Sequence, residues 1–184
     1  MNIYFDCEFT GLFKNTELIS LGMIADDGKS IYVEFSGIDV ENQDAWIKDN
    51  VLDNTYLYGP NTNIYNIIDE DNYYAGTKEE IKDILLNWLS QFDQVQLVSD
   101  VCHYDMVLFV DIFGTAFDLP KNVSACCYDI NQDIANYLNI SLTEAFDINR
   151  EDFLLNNFSD VIQGKKHNSF FDANVIKHIY TNLR

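Results

Sequence analysis

The spacing of apolar side chains along the chain predicts five strands. Residues 2–9 form one apolar run, and ELISLGMIADDGKSIYVEF, residues 17–35, contains two more on either side of a polar turn. Asp27-Gly28 in that turn is a strong hairpin signal, so the chain is predicted to begin with a three-stranded antiparallel meander. Two later runs, VQLVS at 95–99 and NVSACC at 122–127, predict two more strands.

Helical spacing is clearest after residue 76. In TKEEIKDILLNWLSQF, residues 77–92, apolar residues recur three and four apart, and Thr77 with Glu80 forms a predicted capping box. HYDMVLFVDIFG, residues 103–114, predicts a second helix that ends at Gly114, and a last helix is predicted over 169–182. Residues 37–76 look irregular, except that AWIKDNVL at 45–52 predicts a short helix.

This order of elements predicts an α/β fold. Three consecutive strands followed by alternating helices and strands favour a mixed five-stranded sheet flanked by helices. The sheet is expected to be antiparallel on one side and parallel on the other. The 184 residues contain no repeat and no linker, so we expect one domain over 1–184.

Composition and charge narrow the class of protein. Hydrophobic residues make up 47% of the chain, which indicates a packed core. No apolar run is long enough for a bilayer and the N-terminus lacks a signal-peptide pattern, so no membrane contact and a cytoplasmic location are expected. The four cysteines form no Cys-x-x-Cys pair and are expected to be reduced thiols. The formal charge of −19 favours a cation or a basic partner and, taken alone, argues against nucleic acid.

The first strand carries two carboxylates among its apolar side chains. In IYFDCEFTGL, residues 3–12, Asp6 and Glu8 are two residues apart and therefore point to the same face. Two such carboxylates repel each other unless water or a cation lies between them. An exposed strand face is the alternative explanation.

Two predicted helices also carry a carboxylate on their apolar faces. Asp172 shares the apolar face of the last helix, where an unpaired charge would cost several kcal/mol. The alternative is that Ser169-x-x-Asp172 is a capping box. Asp105 heads the apolar stripe of the middle helix. Asp100, at the end of the preceding strand, is an alternative to Asp105 as the site carboxylate. It could equally be an N-cap or a surface residue.

One shared divalent-metal site accounts for all of these carboxylates. Mg²⁺ and Mn²⁺ prefer carboxylate oxygens and water, and four carboxylates suit two such ions. Two ions about 4 Å apart activate a water and stabilise the leaving oxygen of a phosphodiester. His167, five residues before Asp172, is a candidate base for that water, although a lone histidine is more often structural.

Together these motifs resemble the DnaQ-like (DEDD) 3′–5′ exonucleases. The resemblance is carried by the Asp-x-Glu strand, the Tyr-Asp pair at 104–105, and His-x-x-x-x-Asp at 167–172, whose spacing is similar to the His-containing DEDDh subclass. Five stretches are similar in particular to the small bacterial exoribonucleases typified by a mycobacterial enzyme that trims adenylate-containing RNA. They are YFDCEF, TELISLGMIADDGKSIY, AWIKDNVL, YDMVLFVDIFG and HNSFFDA.

The resemblance implies a ribonuclease-H-like fold and the release of nucleoside 5′-monophosphates from single-stranded or short RNA 3′ ends. It also implies a homodimer and gives His167 the role of general base. Two Mg²⁺ or Mn²⁺ ions are implied to bind four carboxylates: Asp6, Glu8, Asp105 and Asp172. Many relatives carry a His-Asn pair where this chain has Asp100-Val101, so an extra carboxylate is expected near the ions.

Five further residues are candidates for substrate contacts: Phe9, Thr10, Gly11, Glu17 and Lys166. Phe9 is expected either to stack on the terminal base or to pack in the core. Thr10 and Gly11 would bring backbone close to the terminal nucleotide. Glu17 would accept a hydrogen bond from a ribose 2′-hydroxyl, unless it is an ordinary surface residue. Lys166, with Lys165, would meet phosphate or lie in a solvated loop.

Three other functions stay open at the level of sequence. One is a DNA 3′–5′ exonuclease of the repair or proofreading type, another is a non-catalytic acidic binding module on the same fold, and the third is a metal-dependent hydrolase of another phosphodiester. The acidic charge does not exclude a nuclease, because divalent ions dominate the field in their own site. Repulsion beyond about 8 Å is largely screened in cellular salt. Short or single-stranded ends are therefore the expected nucleic-acid substrates, with RNA favoured over DNA.

Overall fold

The computed structural model describes residues 1–60 and 70–184, which contain a six-stranded mixed sheet. The strand order is β4-β3-β2-β1-β5-β6. β1 pairs antiparallel with β2, and β2 antiparallel with β3, whereas β4, β5 and β6 each join a parallel neighbour. The strands are β1 Asn2–Phe9, β2 Leu18–Ala25, β3 Ser30–Phe35, β4 Tyr73–Gly76, β5 Val95–Ser99 and β6 Val123–Asp129.

Seven α-helices connect and flank the strands in the described residues. Short 3₁₀ helices at Leu52–Asn54 and Glu70–Asn72 accompany them. No helix in this part of the chain is long and apolar enough to cross a membrane. The helices are α1 Ala45–Asn50, α2 Lys78–Leu89, α3 Cys102–Phe113, α4 Asn131–Leu138, α5 Leu142–Phe146, α6 Arg150–Phe158 and α7 Ser169–Asn182.

The predicted α/β architecture is confirmed, including the meander and its hairpin. Gly28 has a positive φ of 90° at the β2–β3 turn, a conformation that glycine adopts without strain. The capping box at the start of α2 is also present, with Thr77 and Glu80 bonded to each other's backbone N–H groups.

The prediction of five strands is wrong by one, because β4 adds to the free edge of β3. β4 is only four residues long and half exposed, so it shows neither an apolar run nor a clear alternation. Its pairing depends on backbone hydrogen bonds, which the sequence does not display. Of the stretch expected to be irregular, residues 61–69 lie outside the described part; the remainder contains α1, the two 3₁₀ helices and β4.

The sheet separates two apolar layers. On one side Phe5 and Cys7 of β1 pack in a cluster with α2 and α3. On the other side Tyr4 packs in a cluster with α4, α6 and α7. The alternation of side chains along β1 therefore assigns Asp6 and Glu8 to the face that α7 covers.

Gly22 of β2 allows α7 to approach this face closely. Gly22 pairs with Asp6 across the sheet. A Cβ added at Gly22 would lie 2.4 Å from the Ser169 carbonyl oxygen and 2.5 Å from the Phe170 Cα. Only glycine fits beneath the start of α7, and this contact brings the first turn of the helix next to the carboxylates of β1.

Candidate metal centre

Asp6 and Glu8 lie side by side on β1, and both are largely buried. Asp6 is 8% exposed and Glu8 is 9% exposed. The register with β2 shifts between Glu8 and Phe9, where β1 ends. Asp6 and Glu8 therefore lie at the carboxyl end of β1, the edge of an open α/β sheet at which ligands usually bind.

Asp105 reaches the same edge from the first turn of α3, which follows β5 directly. Its side chain is 1% exposed, and the Ser99 hydroxyl donates a hydrogen bond to its Oδ2. The Cys7 thiol donates to the Asp105 carbonyl oxygen at 3.9 Å. Oδ1 is buried and accepts no hydrogen bond from any residue that the structure describes.

Asp172 and His167 belong to the start of α7. The Asp172 Oδ2 accepts a hydrogen bond from the His167 backbone N–H at 2.8 Å. This bond holds His167 in the left-handed region with a φ of 62°. His167 Nδ1 lies 3.9 Å from Glu8 Oε1, so Asp172 orients the histidine toward the carboxylates of β1.

The capping-box explanation for Asp172 is wrong. Asn168 is the N-cap of α7, and its side chain accepts a hydrogen bond from the Phe171 N–H at 3.2 Å. The Ser169 hydroxyl is instead bonded to the Ser20 hydroxyl at 2.9 Å. The helix begins at Ser169, one residue earlier than a cap at Ser169 requires, so Asp172 does not form a capping box with Ser169.

The structure brings all five residues of the predicted site together in one cleft of about 410 Å³. Two sets of ligand atoms converge there, and within each set all atoms lie within 4.8 Å of one another. One set is Glu8, His167 and Asp172, and the other is Asp6, Asp100 and Asp105.

Burial and mutual repulsion make these carboxylates hard to ionise. Burial raises the pKa of Asp6, and the charges of Asp105 and Asp172 raise it further. Burial likewise raises the pKa of Glu8, Asp105 and Asp172 well above their usual values. Burial and the charge of Lys166 lower the pKa of His167, so its imidazole is neutral at pH 7.

This donor set fits a divalent metal ion. A cation would compensate the repulsion that raises the carboxylate pKa values, and it would give the buried Oδ1 of Asp105 a partner. The oxygen-rich ligands match hard cations such as Mg²⁺ and Mn²⁺. The site therefore has the chemistry of a divalent-cation centre.

The candidate substrate residues divide into two groups. Phe9, Gly11 and Lys166 line the cleft, and the Phe9 ring also stacks on Tyr104 at 5.4 Å. The Thr10 and Glu17 side chains are not brought into it.

Thr10 and Glu17 instead shape the loop after β1. The Thr10 Oγ1 accepts from the Glu17 N–H at 3.0 Å, and the Thr10 N–H donates to the Glu17 carbonyl oxygen at 3.0 Å. These bonds close the loop and leave the Glu17 carboxylate exposed.

The sequence patterns did not predict Trp46 and Arg150 as cleft residues. Trp46 of α1 lies with its ring centroid 5.0 Å from that of His167 and remains 53% exposed. Arg150, the first residue of α6, is 9% exposed and forms an ion pair with Asp100 at 2.8 Å. The available signals were an aromatic residue in an otherwise polar stretch and an isolated arginine between acidic segments.

The sequence is similar to proteins named 3′–5′ exoribonuclease from two strains of Mycobacterium tuberculosis. Each is 25% identical over 134 residues, which cover 72% of this chain and 73% of the relative. No protein-family model matches the chain.

The fold is similar to solved nuclease structures. The nuclease domain of 3′hExo, a DEDDh family member bound to rAMP, matches with a TM-score of 0.67 and 14% identity, covering 99% of this chain and 90% of that one. The predicted resemblance to mycobacterial 3′–5′ exoribonucleases is confirmed, as is a fold shared with a DEDDh family member. The Mg²⁺- and Mn²⁺-bound form of S. pombe Pop2p matches with a TM-score of 0.59 and 13% identity, covering 100% and 82%. The comparisons support the predicted enzyme class, a 3′–5′ exonuclease.

Proposed function

We propose that the chain is a metal-dependent 3′–5′ exoribonuclease that acts by a two-metal-ion mechanism. It releases nucleoside 5′-monophosphates from the 3′ ends of single-stranded or short RNA. The observation that carries this proposal is the convergence of Asp6, Glu8, Asp105 and Asp172 with His167 in one cleft. The similarity to relatives named exoribonuclease favours RNA as the substrate.

The four carboxylates would hold two Mg²⁺ or Mn²⁺ ions. When bound, such ions lower the pKa of an attacking water and stabilise the negative charge that develops on the phosphate and the leaving oxygen. The chain supplies the rigid frame, because the ligands come from a central strand and the first turns of two helices. Their raised pKa values mean that cation binding is coupled to loss of any proton that they retain.

His167 would act as the general base. Its lowered pKa leaves the imidazole able to accept a proton at pH 7. The hydrogen bond from its backbone to Asp172 and the ring contact with Trp46 fix its position. These contacts hold the imidazole beside the carboxylates, with Nδ1 3.9 Å from Glu8 Oε1.

The acidic chain can still bind an RNA end, because the positive charges of the bound metal ions and of nearby lysines would lie at the cleft. Lys166 lines the cleft, and Lys165 is exposed beside it, where a phosphate of the chain end would pass. Phe9, Gly11 and the exposed Trp46 add apolar and backbone contacts at the cleft. A long duplex would meet the acidic surface outside the cleft, so the last nucleotides are the preferred contact.

The decisive experiment uses matched single-stranded RNA and DNA oligomers labelled at the 5′ end, with Mn²⁺ or Mg²⁺ or with chelator. We expect a ladder that shortens from the 3′ end and a nucleoside 5′-monophosphate product, faster with RNA. Asp6→Ala is the inactive control, and Asp111→Asn, an exposed change on α3, is the active control.

Two of the alternatives have their own outcomes in this experiment. Faster shortening of DNA would replace the proposal with a DNA exonuclease. If neither the wild type nor Asp6→Ala shortens any oligomer, although both still bind it, a non-catalytic binding module is favoured. The single domain over 1–184, the homodimer and the cytoplasmic location stay predictions.

A further inference from the structure

Asp100 belongs to the carboxylate cluster, although the resemblance assigns it no role. In the parallel pairing of β1 with β5, Tyr4 pairs with Val98, and Asp6 and Asp100 each follow two residues later. An oxygen of Asp100 accordingly lies within 4.8 Å of oxygens of Asp6 and Asp105. The Asp100 side chain is 14% exposed and lines the cleft.

Arg150 fixes the Asp100 side chain. Its Nε donates to Asp100 Oδ2 at 2.8 Å, and its Nη1 donates to the carbonyl oxygens of Ala145 and Ile148 at 2.8 and 2.9 Å. Because the guanidinium is planar and its side chain is only 11% exposed, these bonds fix its orientation. The carboxylate of Asp100 is thereby held in one direction.

Asn131 extends the same support to the backbone. Arg150 Nη2 donates to Asn131 Oδ1 at 2.6 Å, and Asn131 Nδ2 donates to the Asp100 carbonyl oxygen at 2.6 Å. Asp100 Oδ1 accepts no hydrogen bond from the residues described in the structure. Asp100 is therefore fixed through Oδ2 and its carbonyl group, while Oδ1 is left for another partner.

The charges balance only when Asp100 and Arg150 are counted together. Four carboxylates carry a formal charge of −4, which two divalent cations offset. Asp100 is a fifth, partly buried carboxylate that adds one negative charge, and the guanidinium beside it cancels that charge. An ion pair whose only role is stability is a weak explanation here, because buried pairs gain little over apolar side chains.

We propose that Asp100 is a further carboxylate ligand of the divalent cation held by Asp6 and Asp105, and that Arg150 is the positioning residue that directs it there. The buried and unpartnered Oδ1 of Asp105 belongs to the same ligand set. This inference rests on the proposed cation site and adds to it a residue outside the DEDDh pattern.

The test is titration of metal-free protein with Mn²⁺ by calorimetry, which requires no turnover. Asp100→Asn keeps the shape and a hydrogen-bond acceptor for Arg150 but removes the ligand charge. We expect this variant to bind Mn²⁺ about 10- to 100-fold more weakly at one site. Asp111→Asn, the same change on the exposed part of α3, should bind as the wild type does.

Arg150→Lys keeps the positive charge but cannot make the same set of bonds. We expect a weaker loss of Mn²⁺ affinity than in Asp100→Asn, and the double variant should bind no more weakly than Asp100→Asn alone. Additive losses would mean that Arg150 acts independently of Asp100. Thermal unfolding with chelator separates these effects from a general loss of stability.

The two levels of the hypothesis fail differently. If the wild type binds no Mn²⁺, the proposed cation site and nuclease function are both lost. If the wild type binds Mn²⁺ and Asp100→Asn binds it equally well, the cation site stands and the role of Asp100 is overturned. If Arg150→Lys does not fold, the result for Asp100→Asn still decides the question.

Discussion

Two buried carboxylates, Glu34 of β3 and Asp105 of α3, show how an acid satisfied by the protein differs from a candidate metal ligand. Glu34 of β3 is fully buried and accepts four hydrogen bonds. The Tyr32 hydroxyl and the Tyr56 N–H reach Oε1, and the Leu57 N–H and the Tyr73 hydroxyl reach Oε2. Both oxygens of Glu34 are therefore satisfied by the protein itself.

Asp105 is equally buried but far less satisfied. The Ser99 hydroxyl reaches one of its oxygens, and Oδ1 has no donor in the described residues. Burial raises the pKa of both Asp105 and Glu34, but four hydrogen bonds oppose that shift at Glu34, whereas at Asp105 the main opposing interaction is the one hydrogen bond from Ser99. Glu34 holds the chain around Tyr56 and Leu57, whereas in the proposed function a cation would complete the bonding of Asp105.

The largest expected contrast is in catalysis. Asp105→Asn should lower the rate of nucleotide release on the order of a thousandfold or more. The substitution weakens the binding of a metal ion that stabilises the transition state by several kcal/mol. Glu34→Gln should retain a rate near that of the wild type. Rates are measured under single-turnover conditions with saturating Mn²⁺. Equal losses of rate in Asp105→Asn and Glu34→Gln would contradict the difference in role between the two carboxylates.

His167→Gln should lower the rate by about 10²- to 10⁴-fold without weakening Mn²⁺ binding. The wild-type rate should rise as the pH rises through the pKa of His167, which burial places below its ordinary value of 6.5. That acid limb should disappear in the variant. A pH–rate profile and a Mn²⁺ titration check both points, and an unchanged acid limb would assign the base elsewhere.

Glu34→Gln should destabilise the fold by about 1–3 kcal/mol at neutral pH. The amide nitrogen would face donors where a carboxylate oxygen now accepts, and it would leave buried groups unsatisfied. Urea unfolding with chelator measures the difference. Exposed Glu41→Gln is the matched control and should unfold with the wild-type midpoint.

Asp105→Asn should have the opposite effect on the metal-free protein. Its folded pKa is raised above the unfolded value near 4, so the wild type loses stability as the pH rises through the folded pKa. The variant avoids part of that loss and should be more stable at pH 7.5, on the order of 1 kcal/mol, with a smaller advantage near pH 4.5. Lower stability of the variant at both pH values would contradict this account.

Lys166→Gln should produce the smallest change. Lys166 is exposed at the cleft, so its contact with a phosphate is screened by salt. We expect KM to rise about two- to fivefold at low ionic strength with little change in kcat. The effect should vanish at high salt, and Lys121→Gln, an exposed lysine outside the cleft, should show no such change.

Much of the site followed from local patterns. Asp6 and Glu8 were recognisable because strand alternation places them on one face, and Asp105 because it heads an apolar helical stripe. The edge strand β4 and the contacts of Arg150 could not be predicted from the sequence, because they depend on segments far apart in the chain. Glu34 shows the same limit: its alternating strand position predicts no partner, and its backbone donors come from 22 and 23 residues away.

Sequence alone determined the order of five of the six strands and of the helices α1, α2, α3 and α7. It also determined which side chains carry acid at the edge of the core, because burial patterns are periodic within each element. Tertiary structure alone decided which acids meet. Gly22 allows α7 to pack close to β1, and the parallel register of β1 and β5 places Asp100 beside Asp6. Arg150 then holds the Asp100 carboxylate by a hydrogen bond. These are distances between separate elements, and only packing sets them.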